Sequence, residues 1–238
     1  MPVIDLKNCT ISFEDGHSKT GAVNFMAGYS AGATSIVVDG FTGVVPVGVR
    51  LTIDDVEGFQ VVSTSETLGN TTTIVFTPAL TATVADDAVV VAGARYLDIR
   101  VGDGNVNWSE KVNREYKLDR GRIYQVRNGD DVPMDVNLSL MYEFLTASSG
   151  DPPTPEDVLK QRGEAADWES TDPDPCAPFC INIVVLHQPA GCTAFEKEKV
   201  VLPYYRYEDL PHDPKAGTIS TTGKCNAVQA VVTRVPAA

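Results

Sequence analysis

The most constraining feature of the chain is a strict two-residue alternation in its second half. In Met134-Asp-Val-Asn-Leu-Ser-Leu-Met-Tyr-Glu-Phe144, Met134, Val136, Leu138, Leu140, Tyr142 and Phe144 fall on one face, and Asp135, Asn137, Ser139, Met141 and Glu143 on the other. Successive side chains of an extended backbone point to opposite sides, so this period predicts a strand with one buried face. Tyr96–Val101 alternates too, with Leu97, Ile99 and Val101 inward. Val3–Phe13 alternates with a phase change near Asn8, which predicts a bulge. Ile181–His187, Val200–Tyr207, Thr218–Cys225 and Val228–Val235 complete a mainly β, mostly antiparallel set. The 31 valines fit this reading, since β-branched side chains pack well on a pleated surface.

One helix stands against the strands. Thr154-Pro-Glu-Asp-Val-Leu-Lys-Gln-Arg-Gly163 offers Thr154 as N-cap, Pro155 at the first helical position and Gly163 as the stop. Acids lead it and bases close it, as the helix dipole favours. About eight residues do not hold a helix alone, so Val158 and Leu159 are expected to dock on a sheet.

The character of the chain changes near residues 24 and 94. Between them stand seven acids and a single base, Arg50, and little aromatic content. Five short strands are expected there: Thr34–Val38, Val49–Ile53, Gln60–Ser65, Thr72–Phe76 and Ala88–Val91. Gly28-Tyr-Ser-Ala-Gly32 and Ala92-Gly-Ala94 read as linkers. The expected organisation is a discontinuous β domain, 1–23 with 95–238, carrying a small all-β domain, 24–94, in one of its loops.

Several function classes find little support. The formal net charge is −13, which disfavours tight phosphate binding. Met1-Pro-Val-Ile-Asp-Leu-Lys has no basic stretch followed by an apolar one, so no export signal is expected. No apolar run reaches the roughly 20 residues of a bilayer span. His17, His187 and His212 are isolated, His187 reading as a core or edge residue and His212 as a solvated one. Gly102-Asp-Gly104 reads as a hairpin turn. Asp54-Asp55, Asp86-Asp87 and Asp130-Asp131 lack the spacing of a calcium loop and read as solvated turns. Cys176 and Cys180 have the spacing of half a zinc knuckle, but Cys192 and Cys225 form no second close pair. Reduced, mostly buried thiols are the reading adopted, with a disulfide or a zinc site as alternatives. No cofactor, metal or catalytic residue is assigned.

Charge is unevenly spread. Residues 95–130 hold eight bases against six acids, and residues 146–176 hold eight acids against two bases. A locally basic ribbon and a locally acidic loop in one chain suit head-to-tail contacts between copies. Trp108, Lys111, Arg114, Tyr116, Arg120 and Arg122 are the candidate inter-subunit contacts, with the acidic loop as their expected partner.

Four stretches carry a resemblance. They are Asn105-Val-Asn-Trp-Ser-Glu-Lys-Val-Asn-Arg-Glu-Tyr-Lys-Leu-Asp-Arg-Gly-Arg-Ile123, Arg127-Asn-Gly-Asp-Asp-Val-Pro-Met-Asp-Val136, Glu156-Asp-Val-Leu-Lys-Gln-Arg-Gly-Glu-Ala-Ala-Asp-Trp168 and Asp213-Pro-Lys-Ala-Gly-Thr-Ile-Ser-Thr-Thr-Gly-Lys-Cys-Asn226. Together they resemble the major tail (tail tube) proteins of long non-contractile-tailed bacteriophages, the siphovirus type. The resemblance covers 95–230 well and 1–20 weakly. Residues 24–94 resemble a small β module inserted or fused in phage virion proteins, most clearly at Thr71-Thr-Thr-Ile-Val-Phe-Thr-Pro-Ala-Leu80. The resemblance implies a β-sandwich or half-barrel with one flanking helix. It implies hexameric rings stacked into a tube that conducts DNA, assembled in the host cytoplasm and resident in the virion tail. The implied partners are further copies, the tape-measure protein and the terminator and distal tail proteins, with viral DNA passing unbound and no membrane.

Two other classes stay open on the residues alone. A surface or secreted β adhesin is favoured by the inserted module and disfavoured by the missing export signal. An enzyme built on the cysteines, Asp213 or the acid pairs lacks a nucleophile–base pair or a full metal set.

Overall fold

The computed structural model describes residues 9–41, 45–67, 71–100, 105–141, 153–187 and 197–235. Among them the chain is mainly β, with one short α-helix, and divides into two compact units. One unit comprises Met1–Glu14 with Leu97–Ala238, the other Asp15–Tyr96. The strands in chain order are β1 (Cys9–Glu14), β2 (Lys19–Val23), β3 (Ser35–Asp39), β4 (Arg50–Ile53), β5 (Val56–Thr67), β6 (Thr71–Thr77), β7 (Val89–Ala92), β8 (Tyr96–Ile99) and β9 (Val106–Ser109). After these come β10 (Arg114–Asp119), β11 (Arg122–Asn128), β12 (Met134–Met141), helix α1 (Pro155–Lys160), β13 (Ile181–His187), β14 (Lys197–Asp209), β15 (His212–Asp213), β16 (Thr218–Cys225) and β17 (Val231–Val235).

The Asp15–Tyr96 unit is a closed antiparallel barrel in the order β2-β3-β6-β5-β4-β7. Closure removes the sheet edges that a small β domain would otherwise expose. Its core includes Val23, Ile36, Val38, Leu51, Ile53, Phe59, Val61, Ile74, Phe76 and Val90, and the rings of Phe59 and Phe76 meet edge to face at 5.3 Å. The barrel corrects the expected boundaries. Lys19–Val23 is not part of the surrounding domain but the sixth barrel strand, pairing with both β3 and β7. Gly21 permits that closure: a Cβ there would lie 2.4 Å from the Asp39 carbonyl oxygen. The two expected linkers are barrel parts as well. Tyr29 bridges to Val84, and its hydroxyl accepts the Val37 N–H at 2.9 Å. Ala92 lies buried in β7, and Gly93 and Ala94 bond to the backbone of Arg50.

Among the described residues the other unit is built on a nine-stranded sheet, with the path β8-β1-β13-β14-β16-β12-β9, β15 added beside β16 and β17 beside β14. The alternation of β12 holds: Met134, Val136, Leu138 and Leu140 are buried. Residues 142–144 lie outside the described residues, as do the expected bulge near Asn8 and the Gly102-Asp-Gly104 turn. β14 changes partner half-way. Lys197–Val201 pairs with β17 and Tyr205–Asp209 with β16. The break falls where Pro203 has no N–H to donate and Tyr204 takes φ 55°, its N–H bonded instead to Asn182 Oδ1 at 3.1 Å.

α1 starts as expected. Thr154 Oγ1 accepts the Asp157 N–H at 3.1 Å, and the Asp157 carboxylate reaches back to the Thr154 N–H at 3.3 Å. It ends earlier than expected, because Gln161 already turns left-handed (φ 48°), two residues before Gly163 (φ 57°), with its side-chain amide donating to the Trp168 carbonyl at 2.8 Å. Val158 and Leu159, with Ala165 and Trp168 beyond the helix, pack into the core of the sheet. No helix among the described residues is long and apolar enough to cross a membrane.

Candidate self-association surface

Of the six expected contact residues, the structure gathers four on one ribbon. β10 and β11 form a two-stranded sheet of their own, with every residue of both strands exposed. Arg114 opens β10, Tyr116 lies opposite Val126, and Arg122 opens β11 opposite Asp119. Arg120 and Gly121 make the two-residue turn with φ 48° and 79°, the left-handed pair that matches the twist of a tight hairpin. At the base of the ribbon the Gly129 N–H donates to the Asn113 carbonyl at 2.9 Å.

Trp108 and Lys111 sit elsewhere. Trp108 belongs to β9, an outer strand of the large sheet, opposite Val136. Lys111 is ion-paired with Asp135, and that pairing holds the Asp135 carboxyl below its ordinary range. The neighbouring Glu110 carboxylate accepts the Ala230 N–H at 2.9 Å, tying the approach to the ribbon to the residue before β17.

The acidic loop makes a poorer partner than its charge promises. Asp151 lies outside the described residues. Glu156 meets Lys160 at 2.7 Å, Arg162 at 2.8 Å and His212 at 3.4 Å. Asp157 meets Arg162 at 3.2 Å, and Asp172 meets Arg206 at 2.7 Å. The Lys160 hydrogen bond, helped by the Arg162 charge, lowers the Glu156 carboxyl, and the Arg206 hydrogen bond does the same for Asp172. Three of the loop's acids thus answer to bases of their own chain. His212 is exposed, as expected, but lies in the short strand β15 beside Glu156.

Sequence reasoning passed over Leu118, Ile123, Tyr124 and Val126. Leu118 faces Ile123 across the ribbon, and Tyr124 is the extra residue where the register shifts after Lys117. The pairs Arg114–Asn128, Tyr116–Val126 and Leu118–Ile123 share one face of the ribbon, apolar beyond its base, and the pairs Glu115–Arg127, Lys117–Gln125 and Asp119–Arg122 the other. A period-two count that allowed one bulge would have found this.

Two of the described cysteines, Cys180 and Cys225, lie near each other. Cys225 is buried and its thiol is pushed up to about 12, by burial first and by the nearness of Cys180 second. Cys180 is buried with its sulfur 3.2 Å from Thr171 Oγ1. Cys176 is exposed, against the expectation of mostly buried thiols, and Cys192 lies outside the described residues. Among the described residues no three His, Cys, Asp or Glu side chains cluster as metal ligands would. Two of the acid pairs, Asp54-Asp55 and Asp86-Asp87, are turns: Asp54, Asp55 and Asp87 all have positive φ, and the Asp86 carboxylate accepts the Phe25 N–H at 2.9 Å.

No protein-family model, no curated protein and no solved structure matches the chain.

Proposed function

We propose that the chain is a structural virion protein of the tail-tube type: copies join into hexameric rings, and the rings stack into the conduit of a non-contractile phage tail. In this reading the nine-stranded unit is the sandwich or half-barrel of the tube wall, α1 its flanking helix, and the barrel an inserted module on the outside. The chain acts as a building block and not as a catalyst. Its partners are further copies, the tape-measure protein and the proteins at the two ends of the tail, and viral DNA passes without being held.

The observation that carries the reading is the unfinished state of the large sheet. Among the described residues β8, β9, β15 and β17 each pair on one side only, and β17 presents Val231 and Val232 to solvent. An open edge is a template for another strand, and joining unlike edges of identical copies closes a ring without a cap. The four stretches that resemble tail tube proteins all fall in this unit, on the ribbon, β12, the α1–Trp168 segment and β15–β16. The net charge of −13 suits a conduit, since an acidic surface repels phosphate.

Size-exclusion chromatography with negative-stain electron microscopy tests the proposal. Rings or tubes are the expected result, and a monomer at every concentration would remove it.

A further inference from the structure

The ribbon is amphipathic in a way that a solvated hairpin has no reason to be. On one face Tyr116, Val126, Leu118 and Ile123 are 57, 45, 65 and 63% exposed, and Tyr124 at the bulge is 78% exposed. The opposite face carries Glu115–Arg127, Lys117–Gln125 and Asp119–Arg122, and Arg114, opposite Asn128, stands at the base of the apolar face. A lone two-stranded hairpin is marginal in water, and large apolar side chains gain free energy when they leave solvent. Among the described residues β10 and β11 pair only with each other, so both long edges of the ribbon are open there.

We propose that the apolar face of the β10–β11 ribbon is the docking surface for a second copy of this chain, held by burial of Tyr116, Leu118, Ile123 and Val126 rather than by the ribbon's cations. Charge identifies the occupant. Arg114–Asn128 carries five bases against two acids, a net +3, within a chain of net −13, so the rest of each copy stands at −16. Copies of so acidic a body repel one another, and a cationic arm offsets that repulsion on approach. The cations therefore steer, and the apolar face holds. The inference rests on the self-assembly in the tail-tube reading but does not require the assembly to be a tube.

Sedimentation velocity of the full-length chain over a wide concentration range tests it, at low salt and at 1 M salt. Leu118→Asp with Ile123→Asp removes the apolar face at exposed positions. Tyr116→Thr with Val126→Thr does so while keeping strand propensity. Arg114→Glu, Arg120→Glu and Arg122→Glu together reverse the steering charge. The wild type is expected to associate at both salt concentrations. Both apolar variants should associate about a hundredfold or more weakly, at either salt, with unchanged circular dichroism. The arginine variant should associate poorly at low salt and recover at 1 M, where charge is screened.

Association of both apolar variants at wild-type strength would overturn the inference, even if rings still form. A wild type that associates into something other than rings, through this face, upholds the inference and removes the tube. A wild type that stays monomeric removes both. Flotation with phosphatidylserine vesicles closes the remaining route: vesicle binding lost in the apolar variants, with self-association intact, would give the face to a lipid surface and overturn the proposal.

Discussion

Asp15 and Arg95, eighty positions apart, are joined by three hydrogen bonds. The Asp15 carboxylate accepts the Arg95 N–H and its guanidinium Nε, both at 2.7 Å, and the Asp15 N–H donates to the Arg95 carbonyl at 3.1 Å. Both side chains are buried. The bonds clasp the barrel's incoming and outgoing segments together, so the module begins and ends at nearly one point.

Removing one partner of a buried pair leaves a charge without compensation, which costs about 3–5 kcal/mol. Asp15→Ala should therefore lower barrel stability by that amount in urea unfolding followed by circular dichroism. Glu57→Ala, at an exposed position of β5, is the control. A loss below about 1 kcal/mol, the size of a surface pair, would mean that the clasp is ornamental.

The clasp also says where to cut. A deletion starting near Ala27 would strand β2, which closes the barrel. Replacing Gly16–Ala94 with a linker of about four residues should instead leave a folded sheet unit, because the barrel and the sheet have separate cores. That protein is expected to keep its strand signal and to assemble as the full chain does. An unfolded product would show that the two units depend on each other to fold.

Acid should weaken the sheet unit first around α1 and the loop at Asp172. Both Glu156 and Asp172 have carboxyls lowered by their basic partners. A lowered folded value means stability that is full above the ordinary carboxylate range and lost as pH falls through the folded value, here below about pH 5. The urea midpoint should drop between pH 7 and pH 3. Glu156→Gln with Asp172→Asn should flatten that drop while lowering the midpoint at pH 7. Equal slopes in the variant and the wild type would discount these pairs.

Thiol labelling separates the cysteines. Cys176 is exposed and should react with iodoacetamide in the native protein, whereas Cys180 and Cys225 are buried and should react only on unfolding. The raised Cys225 thiol adds to its protection, since only the thiolate attacks. Peptide mass spectrometry reads the order. Elemental analysis of the same sample should find no stoichiometric zinc, and about one zinc per chain, lost with stability on chelation, would restore the metal-site alternative.

The strands with clean alternation and turn residues at both ends were legible in the sequence. β13 and β16 occupy the ranges that their patterns predict, Ile181–His187 and Thr218–Cys225. β2 was assigned to the wrong unit because Lys-Thr-Gly-Ala-Val is short and has a glycine at its centre, where strand propensity is weakest. The Thr154 cap could be read because capping is local chemistry. The stop at Gln161 could not, because a tertiary bond to the Trp168 carbonyl accompanies it. At the ribbon, charge was visible and the apolar face was not, since the bulge at Tyr124 breaks the period just where Ile123 and Val126 need to be counted together.

Negative-stain electron microscopy of the purified full-length chain tests the central claim most directly. Six-fold rings stacking into tubes of uniform bore are the predicted result. Isolated monomers in every field, at concentrations where sedimentation also finds a single monomeric species, would contradict it.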